Sequence, residues 1–163
     1  YQYVRWLPGH FDESVYMTSY AEDLILPRHN SLGWLIAVLG KQLAEDLDQR
    51  LKTMGLNIGV WPTLFALWEE EGLTQTELAE RCMTAHYTTT RTLDTLEKMA
   101  LVERRPHPTS RRALQIYLTQ QGKELRHSVL QQAIACNKQY LDRLSQEEAQ
   151  TLIQLLNKAA GMR

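Results

Sequence analysis

LTQTELAERCMTAHYTTTRTLDTLEKMALVERRPHPTSRRALQIYLT, residues 73–119, reads as two helices joined by a sharp turn and followed by a basic hairpin. Thr74-Gln75-Thr76-Glu77 ahead of Leu78 has the form of a capping box, in which the Thr74 hydroxyl accepts from the Glu77 amide while the Glu77 carboxylate reaches back. The spacing predicts a helix from 74 to about 82, a turn at Met83 and Thr84, and a second helix through 99 with Thr84 as its N-cap. At about 100° per residue, Thr89, Leu93, Leu96 and Ala100 fall on the inward side of that second helix. Thr84, Tyr87, Thr88, Arg91, Thr95 and Lys98 collect on the other. That outward face joins hydroxyls, an aromatic ring and two cations without a central carboxylate. Such groups can read base edges in a major groove and hold flanking phosphates, although a solvated helix face is the commoner meaning of the pattern.

The hairpin shifts the balance. Leu114, Ile116 and Leu118 alternate with Gln115 and Tyr117 as a half-buried strand, and Pro106, Pro108 and Ser110 fit the turn before it. Arg104, Arg105, Arg111 and Arg112 lie near the tip, so the second helix has a cationic wing beside it.

The run from Glu77 to Gly122 resembles the winged helix-turn-helix of the multiple antibiotic resistance regulator (MarR) family. The resemblance is carried by Thr90-Arg91, Leu93-Asp94-Thr95-Leu96-Glu97, Leu101-Val102-Glu103-Arg104, Arg111-Arg112 and Leu118-Thr119 with Gly122. Three departures stand out. His107 and Ser110 occupy the two Asp positions of the family's Asp-Pro-x-Asp-Arg-Arg wing, leaving Arg112 without the carboxylate that would fix it. Ala100 stands where a Gly commonly ends the recognition helix, so that helix is expected to end without a left-handed cap residue. Pro62 sits in the preceding helix, where the family has no fixed proline.

The chain of 163 residues, with ordinary apolar and charged fractions, fits one soluble domain with its own core. A net charge of −1 argues at first against nucleic acid. The distribution reverses this: residues 81–112 hold seven Lys or Arg against three acids, a surplus of four, while residues 1–80 are strongly acidic. No apolar run reaches the length of a membrane span and no signal peptide opens the chain, so a cytoplasmic protein without membrane contact is expected. The first residue is Tyr, which leaves open a missing native start. Two cysteines are too few for a disulfide framework, and Cys82 is expected to be a small buried apolar residue.

Residues 1–29 form an extension whose aromatics suit docking rather than disorder. From a cap at Asn30-Ser31, Leu32, Leu35, Ile36, Leu39, Leu43, Leu47 and Leu51 predict a long amphipathic helix ending at Gly55. A second helix, from about 58 to 71 and closed by Gly72, turns Trp61, Leu64, Phe65 and Trp68 inward, with Pro62 in its first turn. Thr119 caps a long helix carrying Leu125, Val129, Ala133, Ile134, Tyr140 and Leu141. Ser145-Gln146-Glu147-Glu148 is a second capping box, opening a last helix with Leu152, Leu155, Leu156 and Ala159.

The fold class is thus mainly α with a small β-hairpin wing: a winged helix-turn-helix flanked by long dimerisation helices. Its expected parts are 1–29 (extension), 30–56 (dimerisation helix), 57–119 (DNA-binding domain) and 120–163 (C-terminal dimerisation helices). The resemblance implies a homodimeric repressor that binds double-stranded DNA at a pseudo-palindromic operator and is released by a small aromatic or phenolic effector. Thr84, Tyr87, Thr88, Arg91, Thr95, Lys98, Arg104, Arg105, Arg111 and Arg112 are the DNA-contact candidates. Trp34, Arg50, Trp61 and Trp68 are weak candidates for lining the effector cleft. The alternative is a winged-helix protein-interaction module that does not read DNA. The five histidines show no ligand spacing with each other or the cysteines, and no phosphate loop or nucleophile elbow appears, so neither metal, cofactor nor enzymatic activity is expected. His86 falls near the inward side of the second helix and is expected to be packed.

Overall fold

The computed structural model describes residues 27–110 and 113–161. Most of the expected N-terminal extension therefore lies outside the described residues. The chain divides into two compact units, 1–41 and 42–163.

In the first unit, a 3-10 turn at Arg28–Asn30 precedes the start of helix α1, Leu32–Lys52. Ser31 acts as the expected cap, its hydroxyl accepting from the Trp34 amide at 3.3 Å. Arg28 stacks over the Trp34 ring at 5.0 Å. Leu32, Leu35, Ile36 and Val38 are exposed, an apolar stripe left open among the described residues.

In the second unit, Leu47 and Leu51 of α1 are buried. The helix ends at Lys52 and a turn follows to Gly55, whose left-handed φ of 74° lets the Leu56 amide return to the Leu51 carbonyl at 3.0 Å. A 3-10 turn, Ile58–Val60, then leads into α2, Trp61–Glu69. The expected single helix over 58–71 is thus shorter. Pro62 sits in the first turn of α2, where its missing amide costs nothing. Leu64 and Trp68 are buried, but Phe65 is 41% exposed rather than inward, because Leu64, Leu67 and Trp68 fill the core side. Phe65 packs instead on Trp61, ring centroids 5.1 Å apart. Gly72 does not close the helix, which has ended before it. Its φ of 79° turns the chain into β1, Leu73–Thr74, a strand that the sequence reading missed.

Helix α3, Gln75–Arg81, starts with the expected capping box. The Thr74 amide and hydroxyl together hold the Glu77 carboxyl below its usual range. Helix α4, His86–Lys98, follows the turn. β2, Val102–Pro106, and β3, Leu114–Leu118, pair antiparallel from Val102↔Leu118 to Pro106↔Leu114, and β1 lies on the other edge of β3. Ile116 and Leu118 are buried, whereas Leu114, opposite Pro106 at the outer end of the ladder, is 47% exposed. Helices α5, Gln120–Leu141, and α6, Gln146–Ala159, begin at the expected caps Thr119 and Ser145. Val129 and Cys136 of α5 enter the core, but Ile134 is exposed. No residue of α6 is buried, and Ile153, Leu155 and Leu156 are exposed.

Several elements meet at Gly122, where a Cβ would lie 2.1 Å from the Leu101 carbonyl oxygen. The Trp68 indole N–H donates to the Gly122 carbonyl at 2.9 Å, and Thr119 bonds back to the Ala100 carbonyl at 2.6 Å. Leu47, Leu51, Leu64, Leu78, Leu93, Leu96, Ile116 and Val129 belong to one hydrophobic cluster.

The helix ends hold a correction. Ala100 was expected inward, with no left-handed residue closing α4. It is exposed and adopts the left-handed conformation itself, at φ 57°. Its amide donates to Glu97 and that of Leu101 to Leu96, both at 2.9 Å. Those two return bonds and the buried Leu101 hold an alanine where glycine is usual. Met83 ends α3 in the same way, at φ 50°. A left-handed non-glycine residue costs about 1–2 kcal/mol, while glycine adds about 0.5–1 kcal/mol of unfolded-state entropy. Ala100→Gly is therefore expected to stabilise the fold by about 0.5–1 kcal/mol, read as a raised denaturant midpoint at unchanged slope. A lowered midpoint would contradict this.

Candidate nucleic-acid interface

Ala85 rather than Thr84 is the N-cap of α4, and it makes no side-chain cap. The Thr84 hydroxyl instead meets that of buried Thr89 at 2.9 Å, which draws Thr84 half out of solvent. His86 is exposed, correcting the expectation of a packed histidine: at the first position of α4 it precedes the point where the helix meets the core. Thr89, Leu93 and Leu96 form the buried side as expected.

Tyr87, Thr88, Arg91, Thr95 and Lys98 are all exposed on one side of α4. Arg91 donates to the Tyr87 hydroxyl at 3.1 Å, and Thr95 bonds back to the Arg91 carbonyl at 2.9 Å. Facing them is the turn before α2, and together they bound an open groove lined by Asn57, Gly59, Tyr87, Thr88, Arg91 and Thr95. Asn57 and Gly59 were not anticipated. Their signal in the sequence is only the Asn-x-Gly of a tight turn, in which the Asn57 side chain accepts from the Gly59 amide at 2.9 Å.

Of the described wing arginines, Arg104 is less open than the sequence suggests. Arg104 turns back on α4, pairing with Asp94 at 2.7 Å and with Glu97, and its side chain is only 19% exposed. Arg105 pairs with Glu103 and stacks over the Tyr117 ring at 4.3 Å. All three acids within 81–112 are thus paired with wing arginines. The outward face of α4 keeps Arg91 and Lys98, neither of which makes an ion pair among the described residues. Arg111 and Arg112 lie outside the described residues. At the tip, His107 stands in for the family's Asp: its Nδ1 accepts from the amides of Thr109 and Ser110, both at 3.2 Å. A carboxylate would close such a turn in the same way, and the imidazole does so in its neutral form.

The effector-cleft candidates make contacts of different kinds. Trp61 and Trp68 meet edge to face, centroids 6.3 Å apart. Arg50 donates to Gln139 at 3.1 Å, while Trp34 belongs to the first unit. Between α1 and α5, Tyr140 donates to Asp46 at 2.5 Å, which pushes the phenol up to about 12. Cys82 is half-buried and Cys136 buried, and burial raises both thiols. No helix of the described residues is long and apolar enough to cross a membrane.

Comparison with known proteins agrees with this arrangement. The profile of the MarR family matches residues 56–114. Transcriptional repressor MprA of Escherichia coli strain K12 is 31% identical over 119 residues, covering 72% of this chain and 68% of that one. A MarR transcriptional regulator from Methanosarcina mazei Go1 superposes with a TM-score of 0.77 at 21% identity, over 80% of this chain and 94% of that one. The S. aureus MepR-DNA complex gives a TM-score of 0.73 at 22% identity, over 80% and 97%. With its capped helix-turn-helix, three-stranded winged sheet and sequence kinship to MprA, the chain belongs to the MarR family of transcriptional regulators.

Proposed function

We propose that this regulator is a cytoplasmic, homodimeric repressor that binds double-stranded DNA sequence-specifically at a pseudo-palindromic operator. The observation that carries the reading is the division of charge on residues 81–112. Every acid there is paired with a wing arginine, leaving the outward face of α4 to hydroxyls, Tyr87, Arg91 and Lys98. A helix face of that kind suits a major groove, with the wing beside it on the backbone or minor groove. The relatives point the same way, since MprA is named a repressor and MepR was solved with DNA.

In this reading Thr84, Tyr87, Thr88, Arg91, Thr95 and Lys98 face the duplex, and Arg105, Arg111 and Arg112 reach it from the wing. Arg104 sets the angle between wing and helix through Asp94 and Glu97. The exposed apolar residues of α1 and α6 meet those of a second copy, so that two recognition helices address two half-sites. Residues 57–119 are the DNA-binding part, with 30–56 and 120–163 joining the copies. A small aromatic effector would be met in the second unit by Trp61, Trp68 and Arg50, and Trp34 stays a separate candidate in the first.

The deciding experiment enriches duplexes from random DNA with the native protein and follows their retention against salt. Log affinity is expected to fall linearly with log salt, since neutralised phosphates release counterions. Failure to enrich any sequence would favour a protein-interaction role. Lys98→Ala should lower the slope by about one. Arg104→Ala should leave the slope unchanged and cost about 1 kcal/mol of folding stability by leaving Asp94 and Glu97 unanswered. A slope reduced by one in that variant would make Arg104 a phosphate contact.

Assembly has its own check. Leu155 is 59% exposed in the single chain, so Leu155→Glu leaves the chain's own core untouched. The native protein is expected to run as a dimer at micromolar concentration and this variant as a folded monomer. A native monomer would overturn the assembly.

A further inference from the structure

Within the groove beside α4, one contact is left over by a simple list of DNA-facing residues. Tyr87 and Arg91 stand one helical turn apart, and Arg91 Nη1 donates to the Tyr87 hydroxyl at 3.1 Å. The guanidinium carbon also lies 5.5 Å from the centroid of the Tyr87 ring. Among the described residues Arg91 has no carboxylate partner, because the acids of its own helix, Asp94 and Glu97, are taken by Arg104. Tyr87 is thus what orients this guanidinium. A guanidinium carries five N–H donors, and one bond to a hydroxyl leaves four, more than a bidentate contact needs.

We propose that Tyr87 is a specificity-determining positioning residue that presents the Arg91 guanidinium, in one preset orientation, to the major-groove edge of a guanine. Guanine is the base whose edge offers two acceptors, N7 and O6, to such a fork. A long side chain already held in one pose loses less freedom on docking than a free one, so holding it sharpens the choice of base. The hydroxyl accepts Arg91's hydrogen and acts through Arg91 rather than on the duplex. Base preference at that position then belongs to the pair. This inference rests on the reading that the outward face of α4 docks on DNA.

The test uses the duplex that the native protein enriches from random DNA, competed against all of its single-base-pair variants at fixed salt. Native protein, Tyr87→Phe, Arg91→Ala and the double variant are compared. In Tyr87→Phe, preference for one guanine per half-site should fall about threefold to tenfold, the worth of one solvent-exposed hydrogen bond. Arg91→Ala should lose at least as much at the same base pair, and the double variant no more than Arg91→Ala alone. The salt slope of Tyr87→Phe should equal the native one, which separates lost orientation from a lost phosphate contact. Full preference retained in Tyr87→Phe, or losses that multiply in the double variant, would overturn the inference. Both side chains are exposed, so all four proteins should share one circular dichroism spectrum and one denaturant midpoint. If the native protein enriches no sequence, the DNA reading fails and this inference with it. If it enriches a sequence and Tyr87→Phe still reads it fully, only this inference fails.

Discussion

The winged domain is joined to α5 through a backbone contact that tolerates no side chain. Gly122 lies so close to the Leu101 carbonyl that a single added carbon would sit 2.1 Å from it. Around that point the chain makes two further bonds, from the Trp68 indole and from the Thr119 hydroxyl. The segment after α4, the core side of α2 and the start of α5 are therefore fixed to one another by short polar contacts rather than by side-chain packing alone. Such a junction moves as one piece or not at all. The start of α5 and the end of α4 are held in one fixed geometry by these contacts.

Charge is arranged on the same principle of local closure. The excess of cations over residues 81–112 is visible in the sequence, but its usable part is not. Asp94 and Glu97 lie on α4 and Glu103 on β2, and each is taken by an arginine of the wing. What these pairs contribute to stability is small, being largely at the surface. Their larger effect is to keep carboxylates away from the face that carries Arg91 and Lys98. His107 extends the pattern to the tip, where an imidazole nitrogen does the turn-closing work of an aspartate oxygen.

Much of this was legible before any coordinates. Both capping boxes, the Thr119 cap and the buried side of α4 follow from local rules that hold wherever the chain is placed: a hydroxyl three residues from an acid, and a repeat of about 3.6. The failures are those of context. Phe65 satisfies the helical period yet faces out, because the period cannot say which of several apolar neighbours wins the core. β1 was invisible because two residues carry no alternation to read; Leu73 becomes a strand only by meeting Ile116 on β3. Thr84 lost the cap to Ala85 because its hydroxyl found Thr89. Asn57 and Gly59 reach the groove from some thirty residues upstream, and no spacing rule connects positions so far apart in sequence.

Met83 and Ala100 flank the recognition helix in a backbone conformation that suits glycine better. Neither lies on the face that carries Arg91, and both are exposed. In the reading proposed above, new base preferences arise from substitutions on that face, and substitutions commonly cost a fold about 1 kcal/mol. A glycine at either flank restores a comparable amount without touching the reading face. In that reading α4 can take up a new target sequence in steps, with a glycine at either flank keeping each variant folded.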